Sequence, residues 1–136
     1  MRVFLDANIL FSASKSNGAV RDLLTRMLGS GHEIVVDEYV VAEARRNLVP
    51  HGIEAVATLD ALLGSVEVAA FQESRLPADV AALLPAKDAP VLAAALRMRC
   101  AALVTGDRRH FGALYGTVQR GLAVHSPRSL AEALGL

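Results

Sequence analysis

Five short apolar runs, separated by stretches of helical periodicity, constrain this chain more than any other feature. They are "RVFL" (2–5), "EIVV" (33–36), "VEVAAF" (66–71), "AALVT" (101–105) and "LAVH" (122–125). Most lack the strict apolar–polar alternation of a strand with one wet face, so they read as strands buried on both faces. Between them, Val20, Leu23, Leu24, Met27 and Leu28 fall at three-and-four spacing. "EYVVAEARRNL" (38–48) follows a capping Asp37 and is broken by Pro50, His51 and Gly52. Further helices are expected over 53–63, 77–84, 89–99 and 127–134, with Pro90 tolerated in a first turn. Strands alternating with helices predict an α/β fold with a parallel sheet covered on both faces.

The 136 residues suit one domain spanning 1–136. Aromatics are only 4% and Trp is absent, so Ala, Val and Leu must fill the core. Lys+Arg and Asp+Glu are equal at 14 each, so net charge points to no partner. Cys100 is the only cysteine, which excludes an internal disulfide and a thiolate metal cluster and leaves it as a small buried hydrophobe. Asp6 interrupts the apolar start, so no signal peptide is expected. No apolar run reaches the ~18 residues of a membrane span, and a cytoplasmic location is the expectation.

Four acids stand at places where such a fold does chemistry. Open α/β sheets bind ligands beyond the carboxyl ends of their strands, near the point where strand order reverses. Asp6 ends the first run, and Asp107 follows the fourth after one glycine. Asp88 opens the helix leading into the fourth strand, and Glu43 lies in the helix after the second. Each also has an ordinary reading. Asp6 and Asp88 can cap helices, Asp107 can cap the turn "RRHF", and Glu43 can pair with Arg46 or Asn47 on a wet face.

Together the acids ask for more than capping. Carboxylates converging on one edge repel unless something positive lies between them. The sequence suggests no lysine beside them, so a divalent cation is the natural counter-ion. Hard Mg²⁺ or Mn²⁺ takes oxygen ligands, can lower the pKa of a water, and can neutralise charge on a phosphoryl group. Asn8 and Thr105 fit supporting roles, holding Asp6 or orienting a water. A different chemistry is also open, in which Asp6 accepts a phosphoryl group, although Asn8 stands where such enzymes usually place a second acid. His32, His51 and His125 lack metal-ligand spacing and read as turn or strand-end residues.

The blocks "FLDANIL", "VAEARRNL", "KDAPVLAAAL" and "LVTGDRRHF", in this order and spacing, resemble the PIN domain family. The likeness is nearest to VapC-type proteins, the toxins of toxin–antitoxin pairs, and runs from residue 2 to about residue 125. The resemblance implies a parallel sheet of four or five strands flanked by helices. It implies a ribonuclease dependent on Mg²⁺ or Mn²⁺, with Asp6, Glu43, Asp88 and Asp107 as the catalytic and metal-binding acids. Thr105 matches the hydroxyl residue two places before the last acid, and Asn8 the polar residue after the first. It further implies an RNA substrate, a homodimer and an antitoxin partner. Free-standing nucleases and non-cutting RNA- or protein-binding modules share the family. Where some members carry a fifth acid, this chain has Arg108, Arg109 and His110. A second metal ion is therefore expected to bind weakly or only with substrate, and the basic trio reads as an RNA phosphate contact or a solvated face.

Overall fold

Strand β1 (Arg2–Leu5) owes its place to Val3, Phe4 and Leu5, none of which keeps any exposure to water. The computed structural model describes residues 1–136. After β1 come α1 (Ala7–Lys15), α2 (Ala19–Gly29), β2 (Glu33–Asp37), α3 (Glu38–Leu48), α4 (Ile53–Leu63) and β3 (Glu67–Ala69). The second half holds α5 (Ala78–Ala81), α6 (Ala89–Arg97), β4 (Ala102–Val104), α7 (Arg108–Phe111), β5 (Val118–Gln119), β6 (Leu122–His125) and α8 (Pro127–Leu134). The strands form one sheet in the order β3-β2-β1-β4-β6-β5.

The five expected strands all form and pair in parallel. Phe4 stands opposite Val35 on one side and Leu103 on the other, which makes β1 the centre of the sheet. The chain moves outward through β2 and β3, then returns to the far side of β1 for β4 and β6. Strand order therefore reverses at β1 and β4, and their carboxyl ends carry Asp6 and Thr105–Asp107. A continuous core of 33 buried residues joins sheet and helices.

Local chemistry sets the element boundaries. Asp37 Oδ1 accepts from the Val40 N–H at 3.1 Å and starts α3. Ser126 and Ser129 bond reciprocally at the start of α8. The third strand is three residues rather than the expected six, because it is an edge strand paired only with β2. Beyond it the chain leaves the sheet, and Phe71 stacks on Tyr39 with ring centroids 5.6 Å apart. The helix expected over 77–84 is a single turn, Ala78–Ala81. A sixth strand, β5, was not expected: it pairs antiparallel with β6. Arg120 and Gly121, with φ of 53° and 86°, form the two-residue turn between them, a conformation suited to hairpins. No helix is long and apolar enough to cross a membrane.

Candidate active site

Asp6 is held at the junction of β1 and β4. Its N–H donates to the Val104 carbonyl at 3.0 Å, continuing the sheet by one residue. Its side chain caps α1, with Oδ1 accepting from the Ala7 N–H at 2.7 Å. Oδ2 accepts from the Thr105 hydroxyl at 2.8 Å and from Asn8 Nδ2 at 3.3 Å. The fully buried Thr105 hydroxyl in turn accepts from Asn8 Nδ2 and from the Asp107 N–H. Asn8 Oδ1 accepts from the Gly106 N–H at 2.8 Å. Asn8 and Thr105 thus clamp the two strand ends together and fix the Asp6 carboxylate. With both its oxygens engaged and only 5% exposure, Asp6 suits the phosphoryl-acceptor alternative poorly.

The same edge opens into a cleft of about 360 Å³. Asp6, Glu43, Asp88 and Asp107 all line it, although they come from four separate stretches of chain. Glu43 projects from α3, and Asp88 stands at the start of α6. Tyr39 steadies that start by donating its hydroxyl to the Lys87 carbonyl at 2.8 Å. Phe11, Asn47 and His51 close the other side of the cleft. Phe11 and His51 pack edge to face at 5.3 Å.

Electrostatics show the strain of this gathering. Burial pushes the Asp6 carboxyl up to about 6; its hydrogen bonds from Thr105 and Ala7 pull the other way, and the Glu43 and Asp88 charges add to the rise. Burial also raises the Asp88 carboxyl, opposed by His110 and Lys87 and reinforced by Asp107. Asp88 caps α6 by position but makes no side-chain capping bond; its Oδ2 lies instead 3.0 Å from His110 Nδ1. Asp107 does both jobs: Oδ1 accepts from the His110 N–H at 3.0 Å, and Oδ2 faces the site.

Two residues depart from the sequence reading. Lys87 does line the cleft beside Asp88, so the expectation of no neighbouring lysine is corrected. Its position, one residue before Asp88, was the available signal. His110 belongs neither to a solvated face nor to an exposed basic trio. Its Nδ1 lies 2.8 Å from Asp107 Oδ2 and 3.0 Å from Asp88 Oδ2. The i,i+3 spacing of Asp107 and His110 was its only trace in the sequence. Arg108 and Arg109 are exposed, and neither lines the acid cleft.

The donor set fits a divalent cation. One oxygen each from Asp88 and Asp107 and one ring nitrogen from His110 lie within 4.8 Å of one another. The Asp88 Oδ2 atom is buried and accepts no hydrogen bond, its near polar neighbour being His110 Nδ1 at 3.0 Å, and a cation would satisfy it. Asp6 and Glu43 share the cleft but stand outside this tight set.

Comparison with known proteins agrees with the fold. The PIN domain family profile matches residues 2–109. The solved structure of VapBC2 from Rickettsia felis, bound to a DNA fragment from their promoter, aligns over 93% of this chain and 98% of that one, with TM-score 0.64 and 16% identity. VapBC-1 from nontypeable Haemophilus influenzae aligns over 94% of this chain and 99% of that one, with TM-score 0.61 and 14% identity. FitAB bound to the IR36 DNA fragment aligns over 92% and 94%, with TM-score 0.59 and 19% identity. No curated protein matches the chain in sequence.

Proposed function

The chain belongs to the PIN domain family, and from that premise we propose that it is a Mg²⁺- or Mn²⁺-dependent endoribonuclease acting as the toxin of a toxin–antitoxin pair. The observation that carries this reading is the convergence of Asp6, Glu43, Asp88 and Asp107 on one cleft at the reversal of strand order. RNA is the proposed substrate because the four sequence blocks resemble VapC-type proteins. The fold likeness to VapBC and FitAB assemblies supports an antitoxin partner.

In this reading Asp88 and Asp107 hold the cation, with Asp6 and Glu43 completing its surroundings. The cation supplies charge neutralisation at the phosphoryl group and a more acidic water. Thr105 and Asn8 keep the Asp6 carboxylate aimed by their hydrogen bonds. Glu43 orients the attacking water and takes its proton. Water adds to phosphorus in line as the P–O3′ bond breaks; the departing 3′ oxygen takes a proton from solvent, giving a 3′-hydroxyl on one fragment and a 5′-phosphate on the other. Lys87, Arg108 and Arg109 offer positive charge to neighbouring phosphates, which makes binding fall with salt. A second copy of the chain and an antitoxin are the proposed protein partners. Ile53 and Val49, 87% and 63% exposed, supply apolar surface of the kind such contacts cover.

The experiment is cleavage of a mixed RNA by the purified protein with Mn²⁺ or with chelator. Cleavage should need the cation and fall at least about 100-fold in Asp107→Asn, because losing even an outer partner of a metal ligand costs 10–100-fold. Equal cleavage by that variant, or in chelator, would reject the proposal.

A further inference from the structure

We propose that His110 is a nitrogen ligand of the cation held by Asp88 and Asp107, and that it biases the site towards transition metals over Mg²⁺. This rests on the reading that the cleft binds a divalent cation, and adds a residue and a selectivity that the acids alone do not give.

The geometry starts with the turn α7. The Asp107 cap bond to the His110 N–H fixes the backbone of one residue against the side chain of the other. Phe111, next in the chain, is fully buried and anchors the turn to the core. His110 is thereby held facing inward, with a side chain only 22% exposed. Its Nδ1 stands 2.8 Å and 3.0 Å from the two carboxylate oxygens. Neither contact has hydrogen-bond geometry: His110 Nδ1 and Asp88 Oδ2 are both buried and without a hydrogen-bond partner. The three atoms meet at ion-pair distance, and a cation seated beside them would be shared by all three. An octahedral ion with bonds of about 2.1 Å sets neighbouring ligand atoms ~3.0 Å apart. The two nitrogen–oxygen spacings are of that size.

The consequence is chemical. Carboxylates alone suit Mg²⁺ and Mn²⁺, whereas an imidazole nitrogen strengthens binding of Co²⁺, Ni²⁺ and Zn²⁺. A site of two carboxylates and one imidazole should discriminate against Mg²⁺ more than an all-oxygen site does. His51 lines the cleft, whereas His110 reaches it only through its contacts with Asp88 and Asp107, so His51 serves as the control.

The test is pulsed EPR of the full chain loaded with Mn²⁺, alongside calorimetric titration with Co²⁺ and with Mg²⁺. The wild-type protein should show nitrogen modulation of the Mn²⁺ signal. That modulation should vanish in His110→Gln and persist in His51→Gln. Co²⁺ affinity should fall about 10-fold or more in His110→Gln, the size expected for a lost partner at a metal site. Mg²⁺ affinity should change much less. Mn²⁺ bound to wild type without nitrogen modulation overturns this inference and leaves the nuclease reading standing, as does modulation lost only in His51→Gln. No binding of any of the three ions overturns both.

Discussion

Asp6 carries its charge where the cleft is driest. Burial lifts its folded-state pKa from an ordinary 3.8 to about 6. The folded protein therefore holds this proton more tightly than the unfolded chain does. Its contribution to stability is full below about pH 4 and is lost as pH rises through about 6. The gap corresponds to about 3 kcal/mol of strain at neutral pH. Asp6→Asn should remove the charge but keep the bond from Ala7. In chelator at pH 7.5 we expect that variant to be more stable than wild type by about 1–2 kcal/mol in urea unfolding, with the difference gone at pH 4. A variant equal to or weaker than wild type at pH 7.5 would contradict this. Single residues were unequally legible. An acid at or just past the end of an apolar run is a visible anomaly, so Asp6 and Asp107 stood out. Lys87 and His110 did not, because a lysine before a helix and a histidine after two arginines both look like ordinary surface. Their meaning comes from the acids the fold sets beside them.

Elements position these residues, and β4 does most of it. It lies between β1 and β6, pairs with both, and delivers Thr105 and Asp107. Leu103, at its centre, has no exposure and faces Phe4 in the register. Leu103→Ala should lower the unfolding free energy by about 2–5 kcal/mol, the range for a buried leucine that leaves a cavity. A loss below 1 kcal/mol in urea unfolding would mean that β4 is not locked into the core. The long elements were readable because their apolar patterns are long. "EYVVAEARRNL" and "IEAVATLDALL" match α3 and α4 residue for residue. The short ones were not. Two residues make no period, and β5 is turned by Arg120–Gly121 rather than by the Asn-Gly pair that marks such hairpins. "VEVAAF" overstates β3, since its apolar residues serve partly for Tyr39 stacking rather than for the sheet.

At the scale of the whole molecule, strand order decides what the acids can do. β1 and β4 are neighbours in the sheet but almost a hundred residues apart in the chain, so Asp6 and Asp107 meet only once the fold is complete. Helices α3 and α6 bring Glu43 and Asp88 to the same rim. Sequence spacing placed three of them at strand ends or a helix start and Glu43 inside the helix after the second strand, which was enough to expect a shared edge. It could not rank their distances, and the tightest set proved to be Asp88, Asp107 and His110. The central claim is that this gathering is a cation site. Anomalous diffraction at the manganese edge, from crystals soaked in Mn²⁺, reads it directly. The account predicts a peak within bonding distance of Asp88 Oδ2 and Asp107 Oδ2 that disappears in Asp88→Asn. A cleft without a peak at millimolar Mn²⁺, or a peak unaffected by that substitution, would contradict it.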